Sequence, residues 1–142
     1  MKKTIKLSRL VYLLFSILVV TACSDKEDID SVAPVVELLK PVNSDLFLRG
    51  GAIVINANVS DNVELRDMEI SLATLKAAKG IDTPWTPDVQ KIPLSGKEQQ
   101  IRNIVAFSQI PNDIMSGMYS LSIQVTDMTG NIAKTTVIIT IE

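Results

Sequence analysis

The chain of 142 residues contains no histidine and only one cysteine. Without histidine there is no imidazole general base, no zinc centre of the usual nitrogen and sulfur donors, and no Ser–His–Asp or Cys–His arrangement. A lone cysteine cannot form a disulfide within the chain, so a folded domain here must stand on apolar packing. Aromatic residues are scarce at 4%, which is thin for a surface that stacks on sugar rings. Long apolar runs are also lacking. The longest spans residues 10–20, well short of the roughly 20 residues that cross a hydrocarbon core.

What is present begins at the N-terminus. Lys2, Lys3, Lys6 and Arg9 form a basic start without acids, the apolar run follows, and Thr21-Ala22 supplies small residues. That three-part layout predicts a secretory signal peptide over residues 1–22. Val20-Thr21-Ala22-Cys23 then resembles the bacterial lipobox. The resemblance implies that Cys23 is linked to diacylglycerol and becomes the mature N-terminus. Stable anchoring needs at least two acyl chains, so the implied product is tethered to the membrane and not inserted in it.

Lys26-Glu27-Asp28 is similar to the export signal of surface-exposed lipoproteins in Bacteroidota. It implies an outer-membrane protein that faces the cell exterior. The alternative is a protein on the periplasmic face, with this tripeptide merely part of a solvated linker, since residues 23–33 form a polar, acid-rich tether.

The leader carries four of the 14 bases and none of the 16 acids, leaving ten bases against 16 acids, a net charge of −6. That balance argues against nucleic acid as a partner. The remaining length suits one domain, placed at residues 34–142.

Within that domain the apolar pattern has a period of two. Val35–Leu39 reads as an edge strand stopped by Lys40-Pro41. Ile53, Ile55, Ala57 and Val59 share one face, and Met68, Ile70 and Leu72 share another, with Asp67, Glu69 and Ser71 outward. Residues 73–79 suit either a helical turn or a strand end. Residues 89–94 suit a short edge strand, and residues 99–107 another strand, with Ile101, Val105 and Phe107 inward. Tyr119, Leu121, Ile123 and Val125 lead into the turn at Asp127–Asn131. Ala133, Thr135, Val137, Ile139 and Ile141 return on the core face, with Ile138 left for the first strand or the tether to cover.

About seven such strands predict an all-β, immunoglobulin-like antiparallel β-sandwich behind the lipoprotein signal peptide. A closed barrel is the competing architecture. The sandwich is preferred because Tyr119 opens the penultimate strand just after a broken corner, the position of a tyrosine corner; a plain core tyrosine is the alternative there.

The segment Gly117-Met118-Tyr119-Ser120-Leu121, running on to Val125-Thr126-Asp127 and Gly130-Asn131, is similar to the last two strands of bacterial immunoglobulin-like modules. Val59-Ser60-Asp61-Asn62-Val63-Glu64-Leu65 resembles their second-to-third strand junction. With the lipobox, the whole chain resembles the uncharacterised single-domain lipoproteins of Bacteroidota, a domain of unknown function. Some of those carry histidines after the third strand, and a metal role tied to them does not transfer to this sequence.

Two surfaces are candidates for binding. The sandwich expectation brings Asp61, Asn62 and Glu64 to the same end as Asp127, Thr129 and Asn131, an oxygen-rich group suited to Ca²⁺. The alternative is that these are ordinary turn residues bonding local backbone N–H groups. Trp85, the sole tryptophan, sits between Pro84 and Pro87. Exposed, it would contact a glycan or protein partner; buried, it would close one end of the sandwich. Asp67 and Glu69, two apart on a strand, suit a solvated face better than an acid/base pair. The expected role is therefore a non-catalytic binding or assembly module. A glycan-binding accessory lipoprotein of a polysaccharide-utilisation system is the alternative.

Overall fold

Alternation of apolar and polar residues, repeated from segment to segment, folds the chain into two facing β-sheets. The computed structural model describes residues 29–77 and 84–142. The leader, Cys23 and the Lys26-Glu27-Asp28 tripeptide lie outside the described residues.

In chain order the strands are β1 (Val35–Lys40), β2 (Leu46–Phe47), β3 (Ile53–Ser60), β4 (Leu65–Ala77), β5 (Gln90–Pro93), β6 (Glu98–Phe107), β7 (Gly117–Asp127) and β8 (Ile132–Ile141). One sheet has the order β1-β3-β6 and the other β2-β8-β7-β4-β5. All neighbours are antiparallel except β2, which pairs parallel with β8. The architecture is an all-β sandwich, as its sequence pattern predicts.

The core lies between the sheets. From β3 come Ile53, Ile55, Ala57 and Val59, and from β7 come Tyr119, Leu121, Ile123 and Val125, all buried. Burying each large aliphatic side chain stabilises the fold by about 1.5–3 kcal/mol relative to exposure. The Tyr119 hydroxyl donates to the Met115 carbonyl at 2.6 Å, so its one polar atom is satisfied at the corner before β7.

Of the two alternatives for the stretch after Leu72 the strand holds as far as Ala77, where β4 is still paired with Gly117 of β7. Several other expectations are corrected. Val105 is not a core residue but 53% exposed. Opposite β3, strand β6 carries one extra residue between Ile101 and Ile104 and another between Val105 and Phe107. Each bulge exchanges the faces that follow it. Asn103 accommodates the first with φ of 54°, and its N–H donates to Asn56 Oδ1 at 2.6 Å. Asp67, expected on the outward face with Glu69, is nonetheless only 5% exposed, with the Arg66 and Lys91 side chains bonded to its carboxylate. Ile138 remains 40% exposed.

Candidate functional site

Three segments meet at one end of the sandwich: the approach to β1, the β3–β4 loop and the β7–β8 turn. Each contributes an aspartate. Asp30, Asp61 and Asp127 each place a carboxylate oxygen within 4.8 Å of the others. The Met128 N–H donates to the Glu64 carbonyl at 3.0 Å, which fixes the second and third segments together.

Every one of these aspartates is oriented by local backbone. Asp61 Oδ1 accepts from the N–H groups of Val63 at 2.9 Å and Glu64 at 2.8 Å. Asp127 Oδ1 accepts from the N–H groups of Thr129, Gly130 and Asn131 and from the Thr129 hydroxyl, at 2.6–3.0 Å. Asp30 Oδ1 accepts from the Val32 N–H at 3.0 Å and from Asn62 Nδ2 at 2.9 Å. These are the short-range bonds that aspartate makes in turns. Gly130, at φ of 97°, lets its N–H face the carboxylate. An added Cβ there would meet nothing within 4 Å, so backbone conformation and not space favours glycine.

The remaining oxygens are what turn bonding leaves unexplained. Oδ2 of Asp30 and Oδ2 of Asp61 are both buried and have no hydrogen-bond partner. Buried polar atoms are almost always paired, and an orphan calls for a specific cause. Carboxylates this close repel one another when no cation lies between them. An all-oxygen cluster of three carboxyl groups fits a hard cation. Ca²⁺, with ligands at about 2.3–2.6 Å, spans it, and no nitrogen or sulfur donor invites zinc or copper.

Asp127 itself is 1% exposed. Burial alone would raise its pKa. The Asn131 side chain and N–H, the Thr129 hydroxyl and the Gly130 N–H outweigh that and hold the carboxyl below its ordinary value. It therefore stays an anion at neutral pH.

The oxygen-rich group expected from the sequence is thus partly assembled. Asp61 and Asp127 converge. Asn62, Thr129 and Asn131 act as donors that orient the carboxylates, with Asn131 Nδ2 bonding Asp127 Oδ2 at 2.8 Å and the Asp30 carbonyl at 3.1 Å. The Glu64 side chain is exposed and outside the trio; it is the backbone that bonds, its N–H donating to Asp61 Oδ1 and its carbonyl accepting from the Met128 N–H. Asp30 is the member that sequence reasoning missed, hidden in an acid-rich tether. Its turn bond goes to the Val32 backbone N–H, a donor that any residue but proline supplies, so the side chains around it give no signal.

Two other candidates resolve differently. Trp85 is half-buried, packs against the core and meets Phe107 edge-on with centroids 5.6 Å apart. Asp67 and Glu69 share Lys91, whose Nζ lies 3.2 Å from Asp67 Oδ2 and 3.1 Å from Glu69 Oε1. Arg66 Nε adds a bond to Asp67 Oδ2 at 2.9 Å. Burial would raise the Asp67 pKa, but these bonds and charges hold it below its ordinary value. That pairing describes an ion-pair patch and not an acid beside a base.

Residues 21–142 match a family described as a domain of unknown function, DUF4625. The chain belongs to the DUF4625 family. None of the curated proteins matches this DUF4625 chain. Among solved structures it is similar to Spo0M, a sporulation control protein from Bacillus subtilis, with 15% identity and a TM-score of 0.50. The likeness covers 78% of the DUF4625 chain and 49% of Spo0M, so the chain spans about half the length of that protein. At this identity the likeness concerns fold alone.

Proposed function

We propose that this DUF4625 protein is a non-catalytic binding or assembly module of immunoglobulin-like fold. It is held on the outer membrane by lipid at Cys23, faces the cell exterior, and carries Ca²⁺ at the loop end of its sandwich. The sheet orders β1-β3-β6 and β8-β7-β4-β5 support the immunoglobulin-like assignment, being the A-B-E and G-F-C-C′ arrangement of that fold. So does the Tyr119 hydroxyl bond to a carbonyl four residues upstream. The basic-apolar-small leader ending in Cys23 supports lipidation, and Lys26-Glu27-Asp28 supports outward display.

The observation that carries the binding role is the convergence of Asp30, Asp61 and Asp127, together with the orphaned, buried Oδ2 that both Asp30 and Asp61 keep. Outside the cytoplasm, calcium modules work with dissociation constants of about 10⁻⁴–10⁻³ M. Cation at about 100 times that constant stabilises by about 2.7 kcal/mol, which raises the Tm of a domain this size by roughly 5 °C or more. Differential scanning calorimetry in calcium and in chelator checks this. An unchanged Tm would retire the cation site. Protease shaving of intact cells tests display: an uncut domain would place it on the periplasmic side.

One observation favours the glycan-binding alternative. The outer face of the three-stranded sheet holds a groove of about 490 Å³ lined by Glu37, Asn58, Ser60, Glu98 and Gln100 among others. Its polar groups already bond one another, Asn58 Nδ2 to Glu37 at 2.8 Å and Arg102 Nη2 to Asn58 Oδ1 at 2.7 Å. A polyol would have to displace those bonds, and the half-buried Trp85 offers no open stacking platform, so the cation-bearing module is preferred. Electrophoresis through polysaccharide gels without retardation would exclude the glycan role.

A further inference from the structure

We infer that the cation at Asp30, Asp61 and Asp127 also docks the segment before β1 onto the body, so that calcium sets how firmly the domain is held on its own tether. The inference rests on the cation site proposed above and adds a consequence of where its ligands come from.

Asp61 and Asp127 belong to turns of the sandwich, whereas Asp30 precedes the first strand. Little else holds the Asp30 segment. Ile29 is 84% exposed and Val32 56% exposed, so residues 29–33 gain no large apolar burial. Among the described residues, the hydrogen bonds reaching this segment from the body are two side-chain amides: Asn62 Nδ2 to Asp30 Oδ1 at 2.9 Å and Asn131 Nδ2 to the Asp30 carbonyl at 3.1 Å. The bond from the Val32 N–H to Asp30 Oδ1 is local and shapes the segment without attaching it.

Fixing a residue's backbone costs about as much as one such bond returns, or more. Five residues held by two bonds are therefore under-secured. Bringing a third carboxylate beside Asp61 and Asp127 opposes docking further while no cation neutralises them. Cation ligation reverses that sign and gives the orphaned Oδ2 of Asp30 its partner.

The mechanical consequence follows from chain length. Seven residue steps separate Cys23 from Asp30, and eleven separate it from Pro34, which is buried. At no more than about 3.5 Å per step, docking at Asp30 lowers the greatest possible span between Cys23 and the body from about 39 Å to about 25 Å. Calcium thereby lowers the limit on how far the body can stand from the proposed anchor.

The test uses the full protein in detergent, stripped with chelator. Amide hydrogen exchange of residues 29–34 is followed with and without millimolar Ca²⁺, beside a calorimetric Ca²⁺ titration, for the natural chain and for Asp30→Asn and Asp61→Asn. Calcium is expected to slow exchange at Val32 by about tenfold or more. Asp30→Asn should remove that protection and weaken calcium binding by about tenfold, while Asp61→Asn should weaken binding similarly. Calcium binding with unchanged exchange at 29–34 would overturn the docking while leaving the cation site standing. Binding by Asp30→Asn equal to that of the natural chain would do the same. No heat of calcium binding in the natural chain would overturn both.

Discussion

At the scale of single residues, Asp127 does the most with the fewest atoms. One oxygen gathers three backbone N–H groups and a hydroxyl, closing the β7–β8 turn, while the other takes the Asn131 amide. Its folded-state pKa lies below the ordinary carboxylate value, as does that of Asp67. A depressed pKa means that the charged form favours the fold. The contribution is complete above the unfolded value of about 3.9 and is lost as pH falls through the lower folded value. Stability measured in chelator should therefore be flat with respect to these groups near neutrality and fall below about pH 4. Asp127→Asn should cost about 2 kcal/mol at pH 7, because an amide cannot accept all of those donors. It should also make the decline below pH 4 shallower. Urea melts across pH 2.5 to 7 read both effects, and an unchanged acid slope would show that Asp127 ionises alike in both states.

At the scale of elements, regular alternation is what made strands legible. In β3 and β7 each apolar residue of the period-two pattern is buried, because neither strand is interrupted by an extra residue across those positions. In β6 the pattern misleads. Ile101, Val105 and Phe107 look like one face, yet the bulges at Asn103 and Ala106 turn Val105 outward and leave both Ala106 and Phe107 buried. A bulge is a relation between two strands, so one strand's composition does not display it. The two-residue β2 escaped for the same reason: its pairing with β8 is long-range and parallel. Asp30 escaped because its partners lie 31 and 97 positions away along the chain, in other elements. The difference between face and pattern is measurable. Val105→Thr should change stability by less than about 0.5 kcal/mol, whereas Ile101→Ala should cost about 2–5 kcal/mol. Equal losses in denaturant melts would place Val105 in the core after all.

At the scale of the whole molecule, the proposed membrane attachment has to hold residues 23–142, whose net charge is −6. Anionic lipid surfaces attract basic segments, and this body offers the opposite sign. The apolar part of the leader is about a dozen residues, too short to span. The lipid proposed for Cys23 is thus the strong membrane determinant that the sequence offers, and two or more acyl chains would suffice to hold the protein. Cys23→Ser should then move the protein from the detergent phase to the aqueous phase in a detergent phase-partition experiment. The natural protein should remain in the detergent phase, and its N-terminal peptide should carry the mass of acyl chains on Cys23. The sandwich itself should be unaffected, since its described strands run from Val35 to Ile141. Matching far-ultraviolet spectra for the two proteins would separate a lost anchor from a lost fold. If Cys23→Ser stayed in the detergent phase while folded, some apolar surface of the body would be holding the membrane, and the tethered arrangement would give way to a peripheral one.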